Sequence, residues 1–210
     1  MGLRVDIDEF LPWALVHAPN CSDLIAYRYL REAARDFCER TKAWRETDEM
    51  RLDPMGCEAI CTVPDADIVS IENAAVDGVP LEPVTLAWLD EHRAGWERRT
   101  EEGSPQFITQ VEPNTVAVFP RSSGRLSMRL VLKPSLTAMT MPAFLLGKWA
   151  SDIGKGAAAQ ILLLPIDDGG GDPAKAADLG AAFQRRINAE MFSVAKGQQR
   201  APLRTKASFF

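Results

Sequence analysis

Histidines, clustered carboxylates and paired thiols are the side chains that do acid–base, metal and nucleophilic chemistry near neutral pH, and this chain offers few of them in usable patterns. Its two histidines are His17, in Leu15-Val16-His17-Ala18-Pro19, and His92, between Glu91 and Arg93. Neither is flanked by a nucleophile motif such as G-x-S-x-G, so His17 reads as a loop residue making a hydrogen bond and His92 as a solvated one. Asp167, Asp168 and Asp172 surround three glycines, and hard cations favour several oxygens on a flexible turn. Their spacing departs from the D-x-[DN]-x-[DN]-G pattern, however, and a solvated interhelical loop is the expectation. Gly154-Lys155-Gly156 lacks the rest of a phosphate-binding loop and falls inside a helical stripe, where close helix packing is the better account. The cysteines are Cys21, Cys38, Cys57 and Cys61; the last two stand four apart, not in the C-x-x-C spacing of zinc ribbons. No catalytic residue, metal ligand or cofactor is assigned from these patterns.

Tryptophans are the remaining candidates for recognition. Trp44 and Trp149 lie on helical stripes and are expected in the core, whereas Trp88 and Trp96 flank a strand-rich region and are candidates for exposed contacts with a partner or a sugar ring.

The elements that must position these residues fall into three stretches. After Asn20 and Ser22, either of which is a suitable cap, Tyr27, Leu30, Ala34, Phe37, Thr41 and Trp44 recur at spacings of three and four. That predicts an amphipathic helix over 22–44, with Arg28, Arg31, Glu32 and Arg35 on its other face. From about 46 to 133 the pattern changes to short β-branched segments separated by turns. Strands are predicted over 57–63, 68–76, 106–111, 115–119 and 125–132, with turns at Asp77-Gly78 and Pro113-Asn114 and a short helical turn over 85–93. In the last strand Leu126, Met128, Leu130 and Leu132 alternate with Ser127, Arg129, Val131 and Lys133, so one face is buried.

Helical periodicity then returns. Pro142 is placed to begin a helix whose stripe is Leu145, Trp149, Ile153, Ala157, Ile161 and Leu164. A final helix is expected from near Pro173 to Gly197, with Leu179, Phe183, Ile187, Met191 and Val194 inward. The expectation is an α+β fold: a helical bundle of about three long helices (1–45 and 134–197), an inserted antiparallel β-sheet or sandwich subdomain (46–133) and an extended C-terminal tail (198–210). The tail is basic and ends in Ser208-Phe209-Phe210, aromatics expected to dock on this fold or on a neighbour.

Composition narrows the function classes. The 210 residues are 46% apolar and 25% charged, ordinary for a folded domain with a substantial core. With 24 Lys+Arg against 29 Asp+Glu the formal charge is −5, which disfavours general attraction to DNA phosphates or anionic membranes. No apolar run approaches the ~20 residues that span a bilayer; the longest, 157–165, is interrupted by Gln160. The first residues lack a signal-peptide pattern, so synthesis in the cytoplasm and reduced cysteines are expected.

Several segments, in order, resemble the head-tail adaptor (connector, or neck) proteins of tailed bacteriophages. They are Ala18-Pro19-Asn20-Cys21-Ser22, the run Leu30-Arg31-Glu32-Ala33-Ala34-Arg35-Asp36-Phe37 continuing to Trp44-Arg45, Val69-Ser70-Ile71-Glu72, Val76-Asp77-Gly78-Val79-Pro80-Leu81, Gly103-Ser104-Pro105-Gln106-Phe107, Leu130-Val131-Leu132-Lys133-Pro134, and the final helix with Phe183 and Arg185-Arg186-Ile187. The resemblance implies a non-enzymatic virion protein that forms a ring, commonly a dodecamer, between the portal protein and the tail nozzle or tail tube protein. DNA would pass through the lumen without specific binding, tail fibres are a candidate further partner, and no membrane is involved. Twelve copies at −5 each would sum to about −60, a charge that repels passing DNA. The resemblance also implies a C-terminal tail that reaches the portal, for which Arg200, Arg204, Lys206, Phe209 and Phe210 are the candidate contacts. The rival readings are another neck or tail-completion protein, a carbohydrate-binding β module using Trp88 and Trp96, and a metal-assisted hydrolase using Asp167, Asp168 and Asp172.

Overall fold

The computed structural model of the chain describes residues 2–52, 58–96 and 102–195, with side chains described as far as residue 193. The fold is mixed α+β, in two compact units. The β unit is Trp44–Met139 with the residues preceding Arg4; the helical unit is Arg4–Ala43 with the chain from Thr140 onward.

Numbered along the chain, the helical unit contains β1 (Arg4–Asp6), α1 (Leu11–Leu15) and α2 (Asp23–Thr41). The β unit follows with β2 (Arg45–Leu52), β3 (Glu58–Ile60), β4 (Ala66–Val76), β5 (Val79–Pro83), α3 (Leu86–His92), β6 (Phe107–Glu112), β7 (Thr115–Phe119) and β8 (Gly124–Pro134). The chain then returns to the helical unit with β9 (Thr140–Pro142), α4 (Ala143–Ile161) and α5 (Pro173–Ala195).

Helix α2 forms where the spacing predicts it as far as Thr41, but Trp44, expected on its stripe, lies past its end in the β unit, buried, with its carbonyl accepting the Leu132 N–H at 2.9 Å. Ser22 is the helix N-cap in extended conformation, without a side-chain cap bond, and Lys42 closes the helix in the left-handed region at φ 54°. The stripe from Leu30 to Phe37 is fully buried, with Leu30 and Phe37 each contributing roughly 1.5–3 kcal/mol. Pro142 stands at the N-cap of α4, whose stripe from Leu145 through Trp149 and Ile153 to Ile161 is also buried. Asp172 accepts the Lys175 N–H at 2.9 Å and so caps α5, with Pro173 in the first helical position where no N–H is needed.

Helix α4 packs on α1, α2 and α5. Two of its glycines make this possible: a Cβ on Gly154 would stand 2.4 Å from the Trp13 carbonyl oxygen of α1, and one on Gly156 would stand 2.9 Å from the Phe183 ring of α5. Phe37 fills the centre, 5.1 Å from Trp149 and 6.5 Å from Phe183 between ring centroids. The short α1 and the β1–β9 pair, Arg4 opposite Pro142, also belong here, so a bundle of three long helices describes part of the unit.

The β unit is one seven-stranded sheet in the order β2-β8-β4-β5-β6-β7-β3. It is antiparallel except between β5 and β6, which run parallel because α3 carries the chain across between them. This corrects the expectation of an antiparallel sheet or sandwich. β4 shifts register twice against β8, and β6 once against β7; such bulges bend strands and help the sheet curl.

The curl brings the two end strands together. Asp48 on β2 is 5% exposed, and its carboxylate accepts the Thr62 N–H at 2.7 Å and the Thr62 hydroxyl at 2.5 Å, just beyond β3. The sheet is thus nearly closed, its gap stitched by a buried carboxylate. Asn114, at φ 64° in the turn between β6 and β7, makes a second stitch: its side chain accepts from Ile68 N–H at 2.8 Å and donates to the Ala66 carbonyl at 2.9 Å. The two-residue turn Asp77-Gly78 has φ above zero at both positions, as a tight hairpin requires.

Candidate assembly surfaces

The residues with chemical potential are dispersed. His17 is half-buried, and burial first, then the charges of Lys175 and Lys155, holds its pKa below the ordinary 6.5. His92 is exposed on α3, where its Nδ1 lies 3.0 Å from the Trp88 carbonyl oxygen. Among the described residues no three His, Cys, Asp or Glu side chains gather as metal ligands. Cys21, Cys38 and Cys61 are free thiols; burial raises the Cys38 pKa and pushes that of Cys61 to about 11, so neither is a poised nucleophile. Cys57 lies outside the described residues.

The loop Asp167–Asp172 owes its glycines to packing. Gly169, at φ 87°, lies so close to the preceding-helix loop that a Cβ would stand 2.5 Å from the Cys21 Cα.

Trp96 is 7% exposed, which corrects the expectation of an exposed contact. Its indole N–H donates to Asp90 at 2.8 Å, and the ring packs with Leu89, Phe107 and Phe119. An indole with its one polar atom satisfied is readily buried even among charged neighbours in sequence. Trp88 is half-buried, and one ring face is stacked on His92 at 4.5 Å and 8° from parallel. Phe107 lies 4.9 Å away, tilted by 48°, so an aromatic cluster surrounds the ring that a sugar would need. The tail residues Arg200, Arg204, Lys206, Phe209 and Phe210 lie outside the described residues.

Sequence periodicity missed the exposed apolar residues at both ends of the helical unit. At one end, where the α1–α2 connection meets the α4–α5 loop, are Val16, Leu24, Leu163 and Ile166, between 68% and 80% exposed. Lys175 ties the two loops by donating to the His17 carbonyl at 2.7 Å. At the other end Phe144, Met191 and Phe192 are exposed beside Gly147, where a Cβ would meet nothing within 4 Å. Met191 belongs to the stripe that the sequence predicts as inward, but the stripe outruns the helix it packs on. Carboxylates near this second end are already engaged: Arg186 pairs with Glu190 at 2.9 Å and with Asp152 at 3.2 Å. Lys148 stands 3.8 Å from Glu190 and over the Trp149 ring.

In the β unit an open depression of about 580 Å³ is lined by Glu49, Met50, Arg51, Asp77, Gly124 and Arg125. Arg125 pairs with Glu49 there and Asp77 accepts the Arg125 backbone N–H at 2.9 Å, and the depression resembles a solvated rim more than a ligand pocket. No helix of the described residues is long and apolar enough to cross a membrane.

A family model described as SU10 adaptor protein matches residues 7–206, across both units. No curated protein matches the chain significantly.

Proposed function

The chain belongs to the SU10 adaptor protein family, phage structural proteins rather than enzymes, and from that premise we propose that it joins head to tail as a ring between portal and tail. The match across nearly the whole chain carries this reading, because it takes in the β unit and the helical unit together. In the ring, α2 and α5 of adjacent copies pack side by side and the β unit addresses the tail nozzle or tube. The tail 198–210 anchors on the portal, with Phe209 and Phe210 filling apolar pockets while Arg200, Arg204 and Lys206 meet acidic side chains. A chain of net charge −5 repeated around the pore lets DNA pass without adhering.

Negative-stain imaging of DNA-filled, portal-bearing capsids mixed with the protein tests the placement: a ring at the portal vertex is expected, and capsids that never acquire one would refute it. Deleting residues 198–210 tests the anchor, with loss of portal binding expected; wild-type stoichiometry on capsids would remove the tail from the contact.

A further inference from the structure

The loop end of the helical unit combines two properties that a finished surface rarely shows together. Its exposed aliphatic side chains, Val16, Leu24, Leu163 and Ile166, come from both loops that meet there. Among them stand four exposed carboxylates, Asp23, Asp167, Asp168 and Asp172. Asp168 and Asp23 both lie near enough to Cys21 to raise its pKa further, after burial, which places them around one spot. Asp167 and Asp168 make no ion pair among the described residues, and Lys175 is the cation between the loops.

The segment that complements this end is in the same chain. Residues 196–210 carry Lys196, Arg200, Arg204 and Lys206 with no acidic side chain, and interleave Leu203, Phe209 and Phe210. The segment follows α5 at the opposite end of the helical unit. The apolar patch at that nearer end, Phe144 with Met191 and Phe192, offers it no comparable charge, since Asp152 and Glu190 are engaged by Arg186, Lys155 and Lys148.

Distance favours a neighbour's loop end over the chain's own, because only part of the tail spans its own helix. Helix α5 has 23 residues and so spans about 34 Å. Fully stretched, the chain past Ala195 gains about 3.3 Å per residue, which leaves the backbone of Arg200 at about 17 Å and that of Arg204 at about 30 Å. Within one molecule Lys196 and Arg200 fall short of the carboxylates and Arg204 reaches them only with every residue extended, whereas Lys206, Phe209 and Phe210, at about 36, 46 and 50 Å, do span the helix, so a tail folded back on its own unit engages only part of its cations. A second copy imposes no such stretch.

We propose that residues 196–210 of one copy dock on the Val16–Leu24–Leu163–Ile166 end of another, with the arginines and lysines on Asp23, Asp167 and Asp168 and the terminal aromatics on the aliphatic patch. The contact is heterologous, tail of one molecule to loops of the next, so it propagates head to tail. It uses the same side chains as the portal anchor, and the two contacts exclude each other: a tail held by a neighbour is withheld from the portal until the capsid competes for it.

Sedimentation of the purified full chain, with no portal present, tests this independently of the adaptor reading. The wild type is expected to associate beyond its 23.1 kDa monomer at low salt and to dissociate as salt rises. An Asp167→Lys/Asp168→Lys variant and an Arg200→Glu/Arg204→Glu/Lys206→Glu variant are each expected to be monomeric. Mixed one to one, they retain one intact tail and one intact loop end, and dimers that grow no further are expected. Leu163→Ser, at a position 68% exposed, is expected to weaken association with unchanged thermal stability. A wild type that stays monomeric at every concentration, variants that associate like wild type, or a mixture without dimers would each overturn the proposal.

Discussion

In the β unit, the places where strands stop pairing are bridged by polar side chains: Asp48 reaches from β2 to Thr62, and Asn114 reaches from the β6–β7 turn to Ile68 and Ala66. In the helical unit the corresponding places are where side chains are missing, at Gly154 against α1, Gly156 against α5 and Gly169 against Cys21. The difference follows from where each kind of element keeps its hydrogen bonds. A helix satisfies its own backbone, so bulk sets how closely two helices come together; a sheet leaves N–H and C=O groups wherever a ladder ends, and those need partners. One unit is therefore sensitive to lost polar atoms, the other to lost or added volume.

The sharpest way to break that contrast is at the centre of the helical unit. Phe37→Ala removes a fully buried ring between Trp149 and Phe183 and is expected to cost about 3–5 kcal/mol by chemical denaturation. A loss below about 1 kcal/mol would mean that the core closes without it. In the β unit Asn114→Ala orphans the Ile68 N–H and the Ala66 carbonyl, with an expected loss of about 2–3 kcal/mol. Hydrogen exchange should show faster exchange at Ile68, and unchanged protection there would sink the polar-stitch account.

Two glycines of α4 separate volume from helix propensity. Gly154→Ala is expected to destabilise by about 1–3 kcal/mol through its clash with Trp13, whereas Gly147→Ala, in open space, is expected to stabilise by about 0.5–1 kcal/mol. Equal effects of the two would remove the packing explanation for Gly154.

The smallest effect is at His17. Its folded pKa lies below the unfolded 6.5, so the folded chain binds fewer protons; the stability this contributes is present above pH 6.5 and is lost as pH falls through the folded value. An NMR titration should place the midpoint below 6.5, and Lys175→Met should move it upward; a midpoint at or above 6.5 would contradict the burial and charge that surround it.

The same contrast explains what the sequence disclosed. Leu126 to Leu132 announce β8 because a sheet with one buried face writes its period into the chain, and Leu30 to Phe37 do the same for α2. β2 stays hidden because an inward position is Asp48, whose partner Thr62 lies 14 residues on, past the next strand. The parallel β5–β6 pairing is equally hidden, since periodicity carries no strand direction. Trp96 looks exposed among charged neighbours until Asp90 supplies its hydrogen bond. Of the loop end, the acids around Asp167 are legible, while the exposure of Leu163 and Ile166 is not. They continue an apolar run whose earlier members are buried, and only the position of the last helical turn decides which side of the boundary each falls on.

The insertion of the β unit between α2 and α4 sets an order of events on the ribosome. Helix α2 ends at Thr41 and α4 begins at Ala143, about 100 residues later, a gap of roughly 5–20 s of synthesis. Through that interval the apolar face of α2 has been made and its principal partner has not. Strands β2 to β8 are complete by Pro134, before α4 begins, so the β unit is able to finish first while α2 waits, and nascent chains stalled between these points would show a folded sheet tethered to an unpaired helix.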